Sequence, residues 1–263
     1  MDPHRLMTPN ALRAAMRILL SNDDGIEARG LAALKDALAP LGEVWVVAPA
    51  SEQSAKSHSL TMHRPLRIRQ RGECSFSVDG TPADAVYVAL HHVLPAPPDV
   101  VVSGINRGAN MGFDVHYSGT VAAAREAALQ GLPAIAVSAH IEGGPPRYDT
   151  AAHVARRVTE RLLVEGSPPG IVWNVNVPPC APDALRGLRT AVLGRRMYAP
   201  SVDVRHDPRG QPYVWIGGPH IGFGGPEQAD GRLVEAGFAT ITPLGVDPTD
   251  DRILEASRDW TDA

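Results

Sequence analysis

Five apolar runs punctuate the chain and break off at small polar residues or proline: Arg17–Ser21, Val44–Ala48, Val100–Val102, Ala134–Ser138 and Ile171–Val177. They are continuous rather than alternating, as expected of strands buried on both faces of a parallel sheet. Helical patterns lie between them. Leu31, Leu34 and Leu38 recur at helical spacing, and their segment ends near Pro40 and Gly42. Thr81-Pro82 opens a second helix through His92, with Thr81 as N-cap and Pro82 at the first helical position. Thr120–Gln130 is an alanine-rich helix closed by Gly131, and Tyr148–Val164 is amphipathic. This alternation predicts an α/β fold, a mostly parallel sheet with helices on both faces.

The texture changes after Pro179, where glycine and proline become dense. Tyr213–Ile216 and Ala239–Thr242 read as extended arms, so residues 180–263 are expected to form a β-rich hairpin or arm with a short terminal helix, swapped between subunits and partly returning to the core. An arm leaving a compact core is a route to subunit exchange or dimerisation. Residues 1–15 read as a loose extension ahead of a core over 16–179, and Met16 is a candidate start; intact mass of the native protein tests that.

At 263 residues and 44% hydrophobic, the chain has enough apolar material for a sizeable core. A net charge of −4 argues against a polymeric nucleic-acid partner, which needs a basic face. No apolar stretch approaches the ~20 residues that span a bilayer, and Met1–Ala15 lacks the apolar region of a signal peptide. Cys74 and Cys180 lie far apart with no metal-ligand spacing. They read as reduced core thiols of a cytoplasmic protein without a membrane partner.

The chemistry collects where the runs end, since open α/β sheets bind ligands beyond the carboxyl ends of their strands. The first run feeds Ser21-Asn22-Asp23-Asp24-Gly25. Neighbouring side chains on a strand point to opposite faces, so Asp23 and Asp24 share an ion only if the backbone turns between them, and Gly25 permits that turn. Two like charges so close call for a cation, and hard oxygen ligands favour Mg²⁺, Mn²⁺ or Ca²⁺. The triplet equally fits a polar turn opening a helix, with one Asp as cap. A second loop runs from Ser51 to Ser59 through His58. A third, Gly104 to Gly119, carries Asn106, Arg107, Asn110 and His116 into Ser118-Gly119-Thr120 at the start of the alanine-rich helix. A helix mouth with free N–H groups is an anion site, and the same residues also fit plain capping. A cation beside an anion-binding helix start suggests a phosphate ester bridging the two. His58 and His116 are candidates for protonating a leaving group, against an ordinary surface or structural role. Arg107 is a candidate phosphate contact, or a surface arginine on a subunit contact.

Several motifs in order resemble the SurE family: Ser-Asn-Asp-Asp-Gly at 21–25, Val-Val-Ala-Pro at 46–49, Ser-His-Ser-Leu-Thr at 57–61, Gly-Thr-Pro-Ala-Asp at 80–84, Ser-Gly-Ile-Asn-x-Gly-x-Asn at 103–110, Tyr-Ser-Gly-Thr-Val at 117–121 and Asn-Val-Asn-Val-Pro at 174–178. The resemblance runs from Met16 to about Pro248. It implies a Rossmann-like core with a swapped C-terminal arm, a homodimer or homotetramer, and metal-dependent hydrolysis of nucleoside 5′- and 3′-monophosphates. Short polyphosphate is a further implied substrate. By resemblance, Asp23, Asp24, Ser54 and Asn106 hold one divalent ion per subunit, Mg²⁺ or Mn²⁺ with Ca²⁺ accommodated. Asn106, Ser118, Gly119 and Thr120 hold the phosphoryl oxygens. Asn110, closing its motif, is a further candidate. The chain departs from the pattern at Ala55-Lys56 and at Ala85. Lys56 reads either as a cation at the site entrance or as a solvated lysine.

Competing functions leave weaker traces. Adjacent carboxylates do not fit the Asp-x-Asp of phosphatases that form a phosphoaspartate. No Gly-x-Gly-x-x-Gly follows a strand, and no Gly-Lys-Ser/Thr loop exists. A nucleotide- and metal-binding sensor that releases no phosphate remains the alternative.

Overall fold

The computed structural model describes residues 16–199, 201–218, 220–257 and 260; the extension read over residues 1–15 lies outside them. In chain order the elements are β1 (Arg17–Ser21), α1 (Arg29–Leu38), β2 (Glu43–Pro49), β3 (Ile68–Gly72), β4 (Ser75–Val78), α2 (Pro82–Val88), β5 (Val100–Arg107), α3 (Gly119–Leu129), β6 (Ala134–Ala139), α4 (Tyr148–Glu165) and β7 (Ile171–Val177). Beyond them come β8 (Leu188–Thr190), β9 (Arg195–Tyr198), β10 (Ser201–His206), β11 (Pro212–Gly217), β12 (His220–Gly224), α5 (Asp230–Glu235), β13 (Ala239–Gly245) and α6 (Asp251–Ala256).

Nine strands form the main sheet in the order β3-β4-β2-β1-β5-β6-β7-β13-β8. The five apolar runs supply its parallel centre, β2, β1, β5, β6 and β7. Successive strands are added on one side of β1 and then on the other. The order therefore reverses between β1 and β5, where an open sheet leaves a crevice. Alternation along each strand sends side chains to two cores. Ile18 and Leu20 join Leu31, Leu34 and Leu38 of α1 and Val154, Val158 and Leu162 of α4. Leu19 joins Val86 of α2 and Val121, Ala124, Ala127 and Ala128 of α3.

Four segments differ from the sequence reading. The helix from Thr81 has its expected cap: the Thr81 hydroxyl accepts from Asp84 N–H (3.1 Å), and the Asp84 carboxylate accepts from Thr81 N–H (2.8 Å). Its α geometry stops at Val88 and widens into a π turn over Ala89–Val93, where Leu94 N–H reaches back to Ala89 C=O. The third strand runs past Val102 to Arg107. A bulge carries it: Ser103 pairs with Ala136 and Asn106 with Ser138, so one extra residue is absorbed. Gly104, at φ +140°, makes this passage, because a Cβ there would lie 2.4 Å from Val137 C=O. The hairpin β3–β4 is absent from the sequence reading, since β3 is an exposed edge strand of Arg and Gln with no apolar alternation. Ala239–Thr242 is not an arm but part of β13, inserted between β7 and β8. Cys74 and Cys180 are free and half-buried rather than in the core.

Between β8 and β13 the chain makes an excursion. β10 and β11 form a separate exposed hairpin displaying Val202, Val204, Trp215 (63% exposed) and Ile216 (90%). Its root is the ladder of β9 with β12, which begins where Arg195 pairs with Gly224. Among the described residues no helix is long and apolar enough to cross a membrane.

The contact of α1 with β5 allows a direct test of packing. A Cβ on Gly30 would sit 2.0 Å from Ile105 C=O and 3.0 Å from the Tyr148 ring. Gly30→Ala is expected to cost about 2 kcal/mol or more through overpacking, read as a lower urea midpoint with unchanged slope.

Candidate active site

The crevice between β1 and β5 receives the acidic pair. Just past β1, the Asn22 side chain closes the turn: its Nδ2 donates to Gly25 C=O (2.9 Å) and its Oδ1 accepts from Gly25 N–H (3.2 Å). Gly25 has φ +98°, the left-handed conformation expected there. The turn sends the two carboxylates to different neighbours. Asp23 is buried at 4% exposure, and its Oδ1 accepts from the Thr120 hydroxyl at 2.5 Å. Asp24 accepts from Arg107 N–H at 3.0 Å. The pair thus links β1 to both the mouth of α3 and the end of β5.

Burial dominates the electrostatics. It pushes the Asp23 carboxyl up to about 6, against the Thr120 hydrogen bond and with help from the Asp24 charge. Burial also raises Asp24, opposed by the Arg107 amide and reinforced by the charge of Glu52. Glu52 is an acid that sequence reasoning passed over; its only signal was its place in the second loop beside Ser54. Desolvated carboxylates in mutual repulsion suit a hard divalent cation. Among the described residues no three His, Cys, Asp or Glu side chains gather to hold a metal. An ion here would therefore complete its shell with neutral oxygens, as Ser54 and Asn106 offer. The donor chemistry fits such an ion.

Ser54 is exposed, and its hydroxyl donates to Glu52 at 2.8 Å. Its loop is tied to the acidic turn, because Gln53 N–H donates to Asp23 C=O at 2.7 Å. Asn106 is half-buried; its Nδ2 donates to Gly108 C=O at 2.9 Å, and its Oδ1 has no hydrogen-bond partner among the described residues. At the helix mouth, Ser118 is the N-cap, its hydroxyl oxygen accepting from Val121 N–H at 3.1 Å. Gly119 packs directly on Asp23: a Cβ there would lie 2.7 Å from Asp23 Cβ and 3.0 Å from its Oδ2. Thr120 directs both its hydroxyl and its backbone N–H at Asp23, which leaves Gly119 as the residue whose amide opens the helix mouth.

The remaining candidates are placed otherwise. Asn110 is buried in an amide ladder: its Nδ2 donates to Ser138, its N–H donates to Asn176, and its C=O accepts from Asn174 and Asn176. The Arg107 side chain is exposed while its backbone serves Asp24. His116 is exposed beside Phe113, and its C=O accepts from the Ser57 hydroxyl at 2.6 Å. Lys56 is exposed. His58 Nε2 lies 2.8 Å from the buried Glu126 carboxylate of α3, which fastens the second loop to the helix below the site.

That fastening has a pH signature. The Glu126 carboxyl is held below its ordinary 4.5, first by the His58 hydrogen bond and against the effect of burial. Folding thus favours its ionised form, so its stabilising effect is full above the unfolded value and fades as pH falls through the lower folded one. Glu126→Gln is expected to melt a few degrees below wild type at neutral pH. The two curves should converge at the acid end of a Tm-versus-pH series.

Residues 18–200 match the profile of the family described as Survival protein SurE. The chain is 48% identical over 254 residues to the 5'-nucleotidase SurE of Anaeromyxobacter sp. (strain Fw109-5), covering 94% of this chain and 96% of that protein. It is 48% identical over 245 residues to the 5'-nucleotidase SurE of Rhodospirillum rubrum, covering 91% and 94%. Its fold superposes on the crystal structure of the SurE protein from Aquifex aeolicus with a TM-score of 0.84 at 37% identity, over 94% of this chain and all of that one. A profile match over most of the chain, near-half identity to full-length relatives and a shared fold establish that the chain belongs to the SurE family.

Proposed function

We propose that this chain is a divalent-metal-dependent phosphatase that hydrolyses nucleoside 5′- and 3′-monophosphates to nucleoside and phosphate, with short polyphosphate as a further substrate. The observation that carries the reading is the desolvated Asp23–Asp24 pair set against the amide-bearing mouth of α3. The 5'-nucleotidase relatives support it. In this reading Asp23, Asp24, Ser54 and Asn106 hold one Mg²⁺ or Mn²⁺ per subunit. When bound, the ion supplies charge neutralisation at the phosphoryl oxygens and acidifies water.

The protein's own contribution is positioning, which carries most of phosphoryl transfer. The N–H of Gly119, aligned with the helix dipole in the Ser118–Thr120 turn, takes a phosphoryl oxygen, while Thr120 serves through Asp23. The Ser118 hydroxyl accepts from Val121 N–H, so its own proton is free to donate to the same group. Asn106 would offer its Oδ1 to the ion and the second hydrogen of its Nδ2, the first being on Gly108 C=O, to a phosphoryl oxygen. Thr120 fixes one oxygen of Asp23, so the other keeps one orientation beside Gly119. Assembly as a homodimer or homotetramer belongs to the same reading, with the apolar hairpin β10–β11 as the contact. So does a cytoplasmic setting, in keeping with two free thiols.

The test is phosphate release from a panel of 5′- and 3′-monophosphates and tripolyphosphate, with Mg²⁺ or Mn²⁺ and with chelator. Metal-dependent release that chelator abolishes is expected. Nucleotide binding without release would instead establish the sensor.

A further inference from the structure

Away from the acidic crevice, a cavity of about 360 Å³ opens between α3, the turn Gly112–His116, the segment Ala191–Leu193 and the end of β13. Its wall is mostly apolar, with Val115, Leu193 and Leu244 prominent. Two buried or half-buried polar groups break that wall, and neither has a partner. Arg125, on the flank of α3, makes no hydrogen bond or ion pair with any described residue, and burial lowers its pKa. Thr242 is only 3% exposed, yet its Oγ1 has no hydrogen-bond partner. His116 adds an exposed imidazole to the lining. No acidic side chain lines the cavity.

These shortages have a common remedy. A buried hydroxyl without a partner is costly, and a partly desolvated guanidinium without a counter-charge is also unfavourable. Water would satisfy Thr242 but leave Arg125 uncompensated and the apolar wall wet. The oxygens of a carboxylate or phosphate accept from both, and a guanidinium fork receives them two at a time. An apolar pocket with a few convergent polar groups is the usual form of a small-molecule site. We propose that this cavity binds a small organic anion, with its acidic head on Arg125 and Thr242 and a flat apolar body against Val115, Leu193 and Leu244. The ligand class is an aryl or alkyl carboxylate or phosphate. The site stands on α3 beyond the helix mouth and is separate from the acidic crevice.

The probe is 4-iodobenzoate, and the protein is the full chain with Mn²⁺ present. Soaked crystals should show an iodine anomalous peak in the cavity. Calorimetric titration should show binding that weakens about tenfold or more in Arg125→Met and severalfold in Thr242→Val, a near-isosteric change. Both variants should keep wild-type phosphate release, and probe binding is scored whether or not the chain proves to be a phosphatase. If Arg125→Met fails to fold, Thr242→Val carries the measurement alone. The proposal is overturned by a peak confined to the acidic crevice, by binding at crystal concentration only, by affinity unchanged in the folded variants, or by a second copy of the chain filling the cavity.

Discussion

Asp23→Asn is expected to lower kcat/KM for the best nucleoside monophosphate roughly a thousandfold, with the fold intact and Tm unchanged or a few degrees higher. The two halves of this result have one origin. Asp23 is almost fully buried, and burial disfavours its charge. An isosteric amide removes that charge and keeps the oxygen that accepts from Thr120. A carboxylate kept at a cost to the fold and needed for turnover is the pattern of a functional group. A simple polar turn would give the reverse, little change in rate and a loss of stability. Steady-state kinetics and thermal unfolding on the same preparation distinguish the two, and near-wild-type turnover would sink the metal assignment.

Gly119→Ala should cost about a hundredfold in kcat/KM and about 1–3 kcal/mol of stability. Alanine is the better helix former, so the first turn of α3 gains locally. The new methyl, however, falls 2.7 Å from Asp23 Cβ, 3.0 Å from its Oδ2 and 3.1 Å from Pro82. One of these groups must shift, and Asp23 is the one on which the proposed reaction depends. A misplacement of about 1 Å costs about this much in rate. A crystal structure of the variant should show the carboxylate displaced while β1 and β5 keep their register. Full activity would mean that the close approach at the helix mouth has no role.

What the amino-acid order revealed follows the physics of each segment. β1 and β7 have the boundaries that their apolar runs suggest, because burial on both faces leaves an unbroken hydrophobic signal. The turn at Asp23–Gly25 was legible because adjacent acids and a glycine constrain the backbone in few ways. β3 was not, since an edge strand rich in Arg and Gln carries no periodic signal. β5 was cut short because Gly104 and Asn106 look like loop residues, whereas the bulge keeps them in the sheet. β13 was misread because Thr240 and Thr242 are polar letters at inward positions. The contacts that shape the site are long-range: Thr120 on Asp23 spans 97 positions, and His58 meets Glu126 across 68. No local pattern encodes such meetings, which only the folded sheet brings about.

The chain leaves the sheet after β8 and re-enters beside it as β13, and the intervening strands depart and return through adjacent residues, Arg195 opposite Gly224. Topologically the protrusion is a cassette with a single narrow neck. Its root is held to the loop before α3 by Arg196 and Tyr198 on Asp114, so only the β10–β11 tip beyond that clasp can lengthen or change sequence while the nine-strand sheet closes behind it unaltered.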